Sequence, residues 1–441
     1  MNNPNLTTQL IQLTMIKKGI IWTLGIFVVL AISGWGIYII RQQQSYQSVV
    51  HKKSRALLTI SLDDILLNQF FDKWQTALRG GQDFAKKLNK LKDNGIDIKA
   101  NVFLFSLEDS AKNFYAFFDL KDEKQFLTFL KEGLAVDAIE NNAAPGVNYA
   151  YQEANKIAFV WKGRELLVGL GFNLDKKKDE MLQLIQSDSE RISIEHFIDR
   201  PSELTRASLR YSNISTNNFI EFDLKGSRIE IAGELQSSTW NFPQEYLVRE
   251  LVKENYISKG WINFPNQGLK TTIKRILTDL PIAADSIMAH ANGDYVDIEI
   301  LNSQVVQTDT IINYAVNDNF ETVAEKTPYE NKVPNVSLSI RGDAELSKFL
   351  PDKLFYQWFQ RKDKQSYLLS TAPAKDNLQS KYTKTNSLSH VAIHLADWPD
   401  ALKVTPILIL KAIASDMDLS LKVSRSNQLI LQGTIRDYSH K

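Results

Sequence analysis

The chain has no cysteine at all. That absence excludes disulfides, thiolate zinc sites, thiol nucleophiles and a lipidated cysteine anchor. A large exported domain built this way must rely on its packed core, which fits a bacterial envelope better than an animal cell surface. An excess of either charge is also missing. Lys plus Arg number 52 and Asp plus Glu 51, for a net charge of +1. Such a balanced surface supplies no long-range field for a polyanion, so nucleic acid is not an expected partner. The run Lys176-Lys177-Lys178 is answered at once by Asp179-Glu180 and reads as a solvated helix end. No G-x-S-x-G elbow, phosphate-binding G-x-x-x-x-G-K-[ST] loop or H-E-x-x-H helix occurs, and Gly163, Gly169 and Gly171 read as hairpin and strand-end glycines. No cofactor is therefore expected. The Asn-x-Ser patterns at Asn213 and Asn335 are too common to assign a host.

What the chain does have is an uncharged apolar run from Gly19 to Ile40, closed by Lys17 and Lys18 on one side and Arg41 on the other. It matches the roughly 20 residues a helix needs to cross a hydrocarbon core of about 30 Å. Trp22 sits near one end, and Trp35 and Tyr38 near the other, where amphipathic rings favour the headgroup layer. The run is too long for a cleaved signal peptide and lacks small residues at its end. It predicts a single-pass anchor in the lipid bilayer of a cell inner membrane. Flanking charge does not set its direction, because Arg41, Lys52, Lys53 and Arg55 oppose Lys17 and Lys18. The layout of short tail, apolar run and large polar domain favours a periplasmic domain.

The predicted organisation is a tail at 1–18, the anchor at 19–40, a polar stalk at 41–55, and two α+β domains at 56–200 and 201–441. Within the domains a strand repeatedly runs into an acidic corner and then an amphipathic helix. The pattern starts at Leu58, Tyr115, Val336 and Val391, with corners at Asp63-Asp64, Asp122-Glu123, Asp343 and Asp397-Trp398-Pro399-Asp400. An Asp at such a corner accepts from the free N–H groups of the first helical turn and suits the positive end of the helix dipole. Pro399 suits an opening turn, whereas Pro406 should kink or shorten the last helix, expected over Ala401 to Ala414. Hairpins are predicted around Lys162-Gly163, Lys225-Gly226 and Arg425-Ser426-Asn427. Residues 141–146 and 372–389 read as loops. The expected fold class is α+β: a transmembrane helix followed by antiparallel sheets with helices packed on one face, in two related halves.

Few residues carry reactive chemistry. His390 and His394 lie four apart on a predicted strand, with Asp397 and Asp400 after it, and form the best metal candidate. The more ordinary reading is a solvated strand face followed by a capping Asp. Asp294, Asp297 and Glu299, and Asp416 with Asp418, supply paired carboxylates, yet alternation with apolar neighbours is what any half-exposed strand shows. Aromatics at strand and helix spacing read first as core, yet Trp358, within Phe355-Tyr356-Gln357-Trp358-Phe359, stands in a denser group than one core face needs, which leaves room for a part in a partner interface.

The anchor, strand–corner–helix units such as Tyr115 to Lys131, and the closing Leu431-Gln432-Gly433-Thr434-Ile435 together resemble uncharacterised envelope proteins of Bacteroidota-type bacteria. The likeness covers most of the chain beyond the anchor and is one of style, without a diagnostic motif. It implies a location and no catalytic residue. The expectation is a non-catalytic envelope protein that scaffolds or assists assembly of other envelope components, with another envelope protein as partner. The alternative is a hydrolase of an envelope polymer whose carboxylates are brought together by the fold.

Overall fold

The computed structural model describes residues 36–67, 94–109, 111–136, 138–263, 282–291, 295–316, 322–353, 356–363, 366–373, 381–399, 404–411 and 414–436, with Lys274 and Thr278. The chain divides into two compact units, Met1–Ser215 and Thr216–Lys441.

In the first unit, eight antiparallel strands lie side by side. Their order is Leu209–Asn213, Ala56–Ser61, Asn101–Ser106, Asn113–Leu120, Glu165–Gly171, Ile157–Lys162, Val147–Gln152 and Ile139–Ala144. The apolar run Ile157-Ala158-Phe159-Val160-Trp161 is continuous because both faces of this sheet are covered. Ala158 and Val160 pack with Met181, Leu182, Leu184 and Ile185 of the helix Lys178–Gln186. Phe159 and Trp161 pack on the opposite face with Phe126 of the helix Glu123–Thr128 and with Leu130 just beyond it.

Asp122 caps that second helix as the sequence predicts, its Oδ1 accepting from the N–H groups of Lys124 at 2.9 Å and Gln125 at 3.1 Å. The chain approaches the same corner through Gly95, which has φ +75°, and a side chain there would collide with the Asp122 carbonyl and the Phe126 amide.

The second unit carries ten antiparallel strands. Their order is Asn218–Lys225, Arg228–Gln236, Gln428–Arg436, Asp416–Arg425, Ser387–His394, Tyr256–Asn263, Tyr295–Val316, Thr322–Arg341, Ser366–Ser370 and Phe359–Asp363. A separate two-stranded ladder joins Tyr246–Arg249 to Tyr382–Thr385. One apolar cluster gathers Ile257, Ile300, Val336, Ile393, Leu395 and Trp398, and another gathers Ile340, Leu346, Leu350, Tyr367 and Leu369.

The expected α+β fold class does not hold. Antiparallel strands dominate, and no helix among the described residues is long and apolar enough to cross a membrane. Helices cover both faces of the first sheet rather than one. The strand orders of the two units also differ, so topology gives no support to related halves.

The segment read as a polar stalk is folded into the first unit. Residues 36–45 are helical, Val49–His51 pairs with Arg191–Ser193, and Val50 is fully buried. Polarity misled there because a three-residue strand needs only one inward side chain. Residues 19–35 of the apolar run, with Trp22 and Trp35, lie outside the described residues. The helix Thr405–Lys411 is shorter than the expected span, with Pro406 in its first turn, where the missing N–H costs nothing.

Phe126 is fully buried, with its ring edge-on to Trp161 at 5.4 Å and to Phe159 at 6.0 Å. Phe126→Ala should therefore cost about 3–5 kcal/mol. Urea unfolding followed by tryptophan fluorescence checks this: the midpoint falls while the slope stays constant.

Candidate binding groove

Alternation along Tyr295–Val316 puts Tyr295, Asp297 and Glu299 on one face of the second sheet. The sequence reading leaves that face half-exposed. In the structure the Asp297 side chain is 0% exposed and that of Glu299 is 7% exposed. What buries them is the short strand Tyr246–Arg249, which delivers one guanidinium to both carboxylates. Arg249 Nε donates to the two Asp297 oxygens at 3.2 and 3.0 Å, and Nη2 donates to Asp297 Oδ1 at 2.5 Å and to Glu299 Oε2 at 2.7 Å. The remaining lone pairs are also used. Glu299 Oε1 accepts from Val252 N–H at 2.7 Å, Oε2 accepts from Ser337 Oγ at 3.3 Å, and Tyr295 Oη accepts from Arg249 N–H at 2.9 Å.

Two buried anions around one buried cation persist only with such satisfaction. Burial acts to lower the pKa of Arg249, but the hydrogen bonds and charges of Asp297 and Glu299 outweigh it and hold the guanidinium charged. Burial, followed by the Asp297 charge, pushes the Tyr295 phenol well above its ordinary range, so it stays protonated. The Arg341 guanidinium lies over the Tyr295 ring at 4.7 Å and extends the arrangement by a cation–π contact.

The Val252–Glu299 bond fixes the segment after Arg249 as the wall of an open groove of about 760 Å³. Leu251, Val252, Leu301, Phe359, Leu368 and Pro373 give it an apolar lining, and Lys253, Arg361 and Lys381 add positive charge. None of these three cations forms an ion pair among the described residues, whereas Arg249 is fully engaged. Glu250 and the inner Glu299 are the groove's acidic residues. The groove can thus hold an apolar body and answer a carboxylate or another anion. The carboxylates of its floor already accept from Arg249, and Glu299 also from Val252 N–H and Ser337 Oγ, so they are poorly placed to act as free bases.

The histidine pair does not converge. His390 and His394 share a face, but residues four apart on a strand are separated by about 13 Å. Each is instead held between an aromatic ring and a carboxylate from the flanking strands. His394 sits 4.7 Å from the Tyr256 ring, with Nδ1 2.6 Å from Asp416 Oδ1. His390 sits 4.7 Å from the Trp261 ring, with Nε2 3.4 Å from Asp418 Oδ1. Asp397 lies in the turn Leu395–Asp397 and joins neither pair, while Asp400 is outside the described residues. Among the described residues no group of three or more His, Cys, Asp or Glu side chains could hold a metal ion.

Tyr38, read as a headgroup-layer residue, donates to Asp64 Oδ1 at 2.6 Å, beside the Arg41–Asp63 ion pair. Trp358 packs among the core clusters, while its neighbour Phe359 reaches the groove. Sequence reasoning missed Arg249, Arg361 and Lys381. Arg249 lies 48 residues from Asp297, and no local pattern links the two.

No protein-family model matches the chain, and no curated protein matches it. A solved structure described as crystal form I of TP0453 is 11% identical, with a TM-score of 0.22, covering 56% of this chain and 87% of that one. That superposition is too loose to establish a shared fold.

Removing the cation alone leaves two buried charges unpaired, so Arg249→Met should destabilise the protein by about 3–5 kcal/mol. Adding Asp297→Asn and Glu299→Gln should recover much of that loss, as read from denaturant midpoints.

Asp416 makes stability pH-dependent. Burial acts to raise its pKa, but hydrogen bonds from His394 and Ser415 and the charge of Arg436 outweigh it and hold the carboxyl below its ordinary value. A depressed folded-state pKa gives stability that is present above the unfolded value, about 3.9, and is lost as pH falls through the folded value. Asp416→Asn should therefore melt below the wild type at pH 6, and the gap should close below about pH 4. Melting curves between pH 3 and pH 7 check the sign.

Proposed function

We propose that the chain is a non-catalytic, membrane-associated binding protein of a bacterial cell envelope. Its second unit takes up an extended, carboxylate-bearing segment of another envelope protein and so scaffolds or assists assembly of envelope components. The observation that carries this reading is the groove, with its apolar lining and three cations that have no ion-pair partner among the described residues. Apolar contact would supply affinity there, and charge complementarity would set orientation and partner choice. The apolar run Gly19–Ile40, with Trp22 and Trp35, supports a membrane location, and the layout of short tail, apolar run and large polar domain favours the periplasmic side.

A hydrolase working through paired carboxylates gains no support from Asp297 and Glu299. A carboxylate that already accepts from a guanidinium and from a backbone N–H or hydroxyl is poorly placed to take a proton from substrate.

A photo-crosslinking residue in place of Phe359, activated in native membranes, tests the reading. The expected result is one defined protein adduct whose crosslinked segment is rich in Asp or Glu. Combining Arg361→Glu with Lys381→Glu should reduce it at least about tenfold, since both attractive contacts become repulsive. An adduct indifferent to that charge reversal, or one made only with lipid, would overturn the proposal.

A further inference from the structure

The two longest strands, Tyr295–Val316 and Thr322–Arg341, outrun the sheet they belong to. Their neighbours stop early: Tyr256–Asn263 pairs only with residues 295–301, and Ser366–Ser370 only with residues 337–341. Residues 304–316 and 322–334 pair with each other and, among the described residues, with no further strand. Gln307 ties the base of this ribbon down, its Nε2 donating to the carbonyls of Gln357 at 2.8 Å and Thr371 at 2.7 Å. Beyond it the ribbon is exposed and apolar, with Ile312 49% and Tyr314 73% accessible, and Ile311 exposed on the other face. Large apolar side chains on an unpaired ribbon mark an interaction surface.

The two free edges differ. Thr310 stands opposite Pro328, and its N–H donates to Asp309 Oδ1 at 2.9 Å instead of across the ladder. That pair is therefore of the kind whose backbone groups face outward. By alternation, residues 308, 310, 312 and 314 present N–H and C=O to one open edge. Pro328 and, three periods of the alternation away, Pro334 bring no N–H to the other. The proline-bearing strand also carries Glu325, Lys326, Glu330 and Lys332. It is a guarded edge. The strand 304–316 has no proline and a single charge, Asp309, already paired with Lys353 Nζ at 2.7 Å.

We infer that the edge of 304–316 receives the same strand of a second copy of this chain, antiparallel and about a two-fold axis near Ile312. Self-pairing there brings no unpaired like charges together, because the one carboxylate is neutralised within its own chain. It places Ile312 against Ile312 and Thr310 against Tyr314, apolar and β-branched pairs of the kind that stabilise neighbouring strands. Closed two-fold dimers need such a self-complementary patch.

The absence of native cysteine makes the test direct. In the full chain in detergent, sedimentation velocity should show a concentration-dependent dimer. Ile312→Cys should form a disulfide-linked dimer under mild oxidation, because directly opposed residues on paired strands lie about 5.5 Å apart, within disulfide range. Thr327→Cys, on the guarded strand, should not. Thr310→Pro removes an outward N–H, together with its exposed bond to Asp309 Oδ1, and should cut the dimer fraction at least about tenfold with an unchanged circular dichroism spectrum. A wild type that stays monomeric throughout, whatever other protein it captures, overturns self-pairing. So does a dimer that survives Thr310→Pro.

Discussion

One guanidinium holding two carboxylates organises the polar face of the second unit. Arg249 carries the strand Tyr246–Arg249 onto that face, and Asp297 and Glu299 become buried because it is there. Glu299 then holds Val252 N–H, which sets the wall of the groove, and Tyr295 holds Arg249's own N–H. Two atoms of the cluster, Tyr295 Oη and Glu299 Oε1, each fix a backbone N–H, and this ties the groove's wall to the charge arrangement. Buried ion pairs are poor contributors to net stability but can specify a unique arrangement, and that is the role this geometry gives the cluster.

The first unit is held differently. Both faces of its sheet are covered, and the strand Ile157–Lys162 is apolar at every position from Ile157 to Trp161. Hydrophobic burial on two sides sets that sheet, and its polar devices, such as the Asp122 cap, sit at the corners. The second unit instead leaves much of one sheet face polar, with His390 and His394 each wedged between an aromatic ring and an aspartate. It also lets one strand pair run past its neighbours.

Local features were legible in the sequence. The hairpins around Gly163, Gly226 and Asn427 pair across the predicted turns, and the Asp122 and Asp343 corners accept N–H groups just downstream. These depend on residues a few positions apart. The fold class failed because short acidic corners were read as the start of substantial helices. After Asp343 only a single turn follows, Leu346–Lys348. The stretch 141–146 has the polar composition of a loop although Ile139–Ala144 is a strand, since its Asn-rich sequence lies on an exposed outer strand. The groove was illegible because its key residues come from positions 249, 299, 361 and 381, brought together only by strand order. The histidine pair misled for a simpler reason: same-face spacing on a strand says nothing about separation along it.

Amide hydrogen exchange at Arg249 and Val252 tests the central claim most directly. Both N–H groups are satisfied by side chains of the buried cluster, Tyr295 and Glu299, and not by a neighbouring strand. If the cluster builds the groove wall, both amides exchange slowly in the wild type, and Glu299→Met, which has no oxygen to accept from Val252, releases that amide while the amides of Ile157–Lys162 keep their protection. Fast exchange at Val252 in the wild type, or protection unchanged by that substitution, would contradict the account.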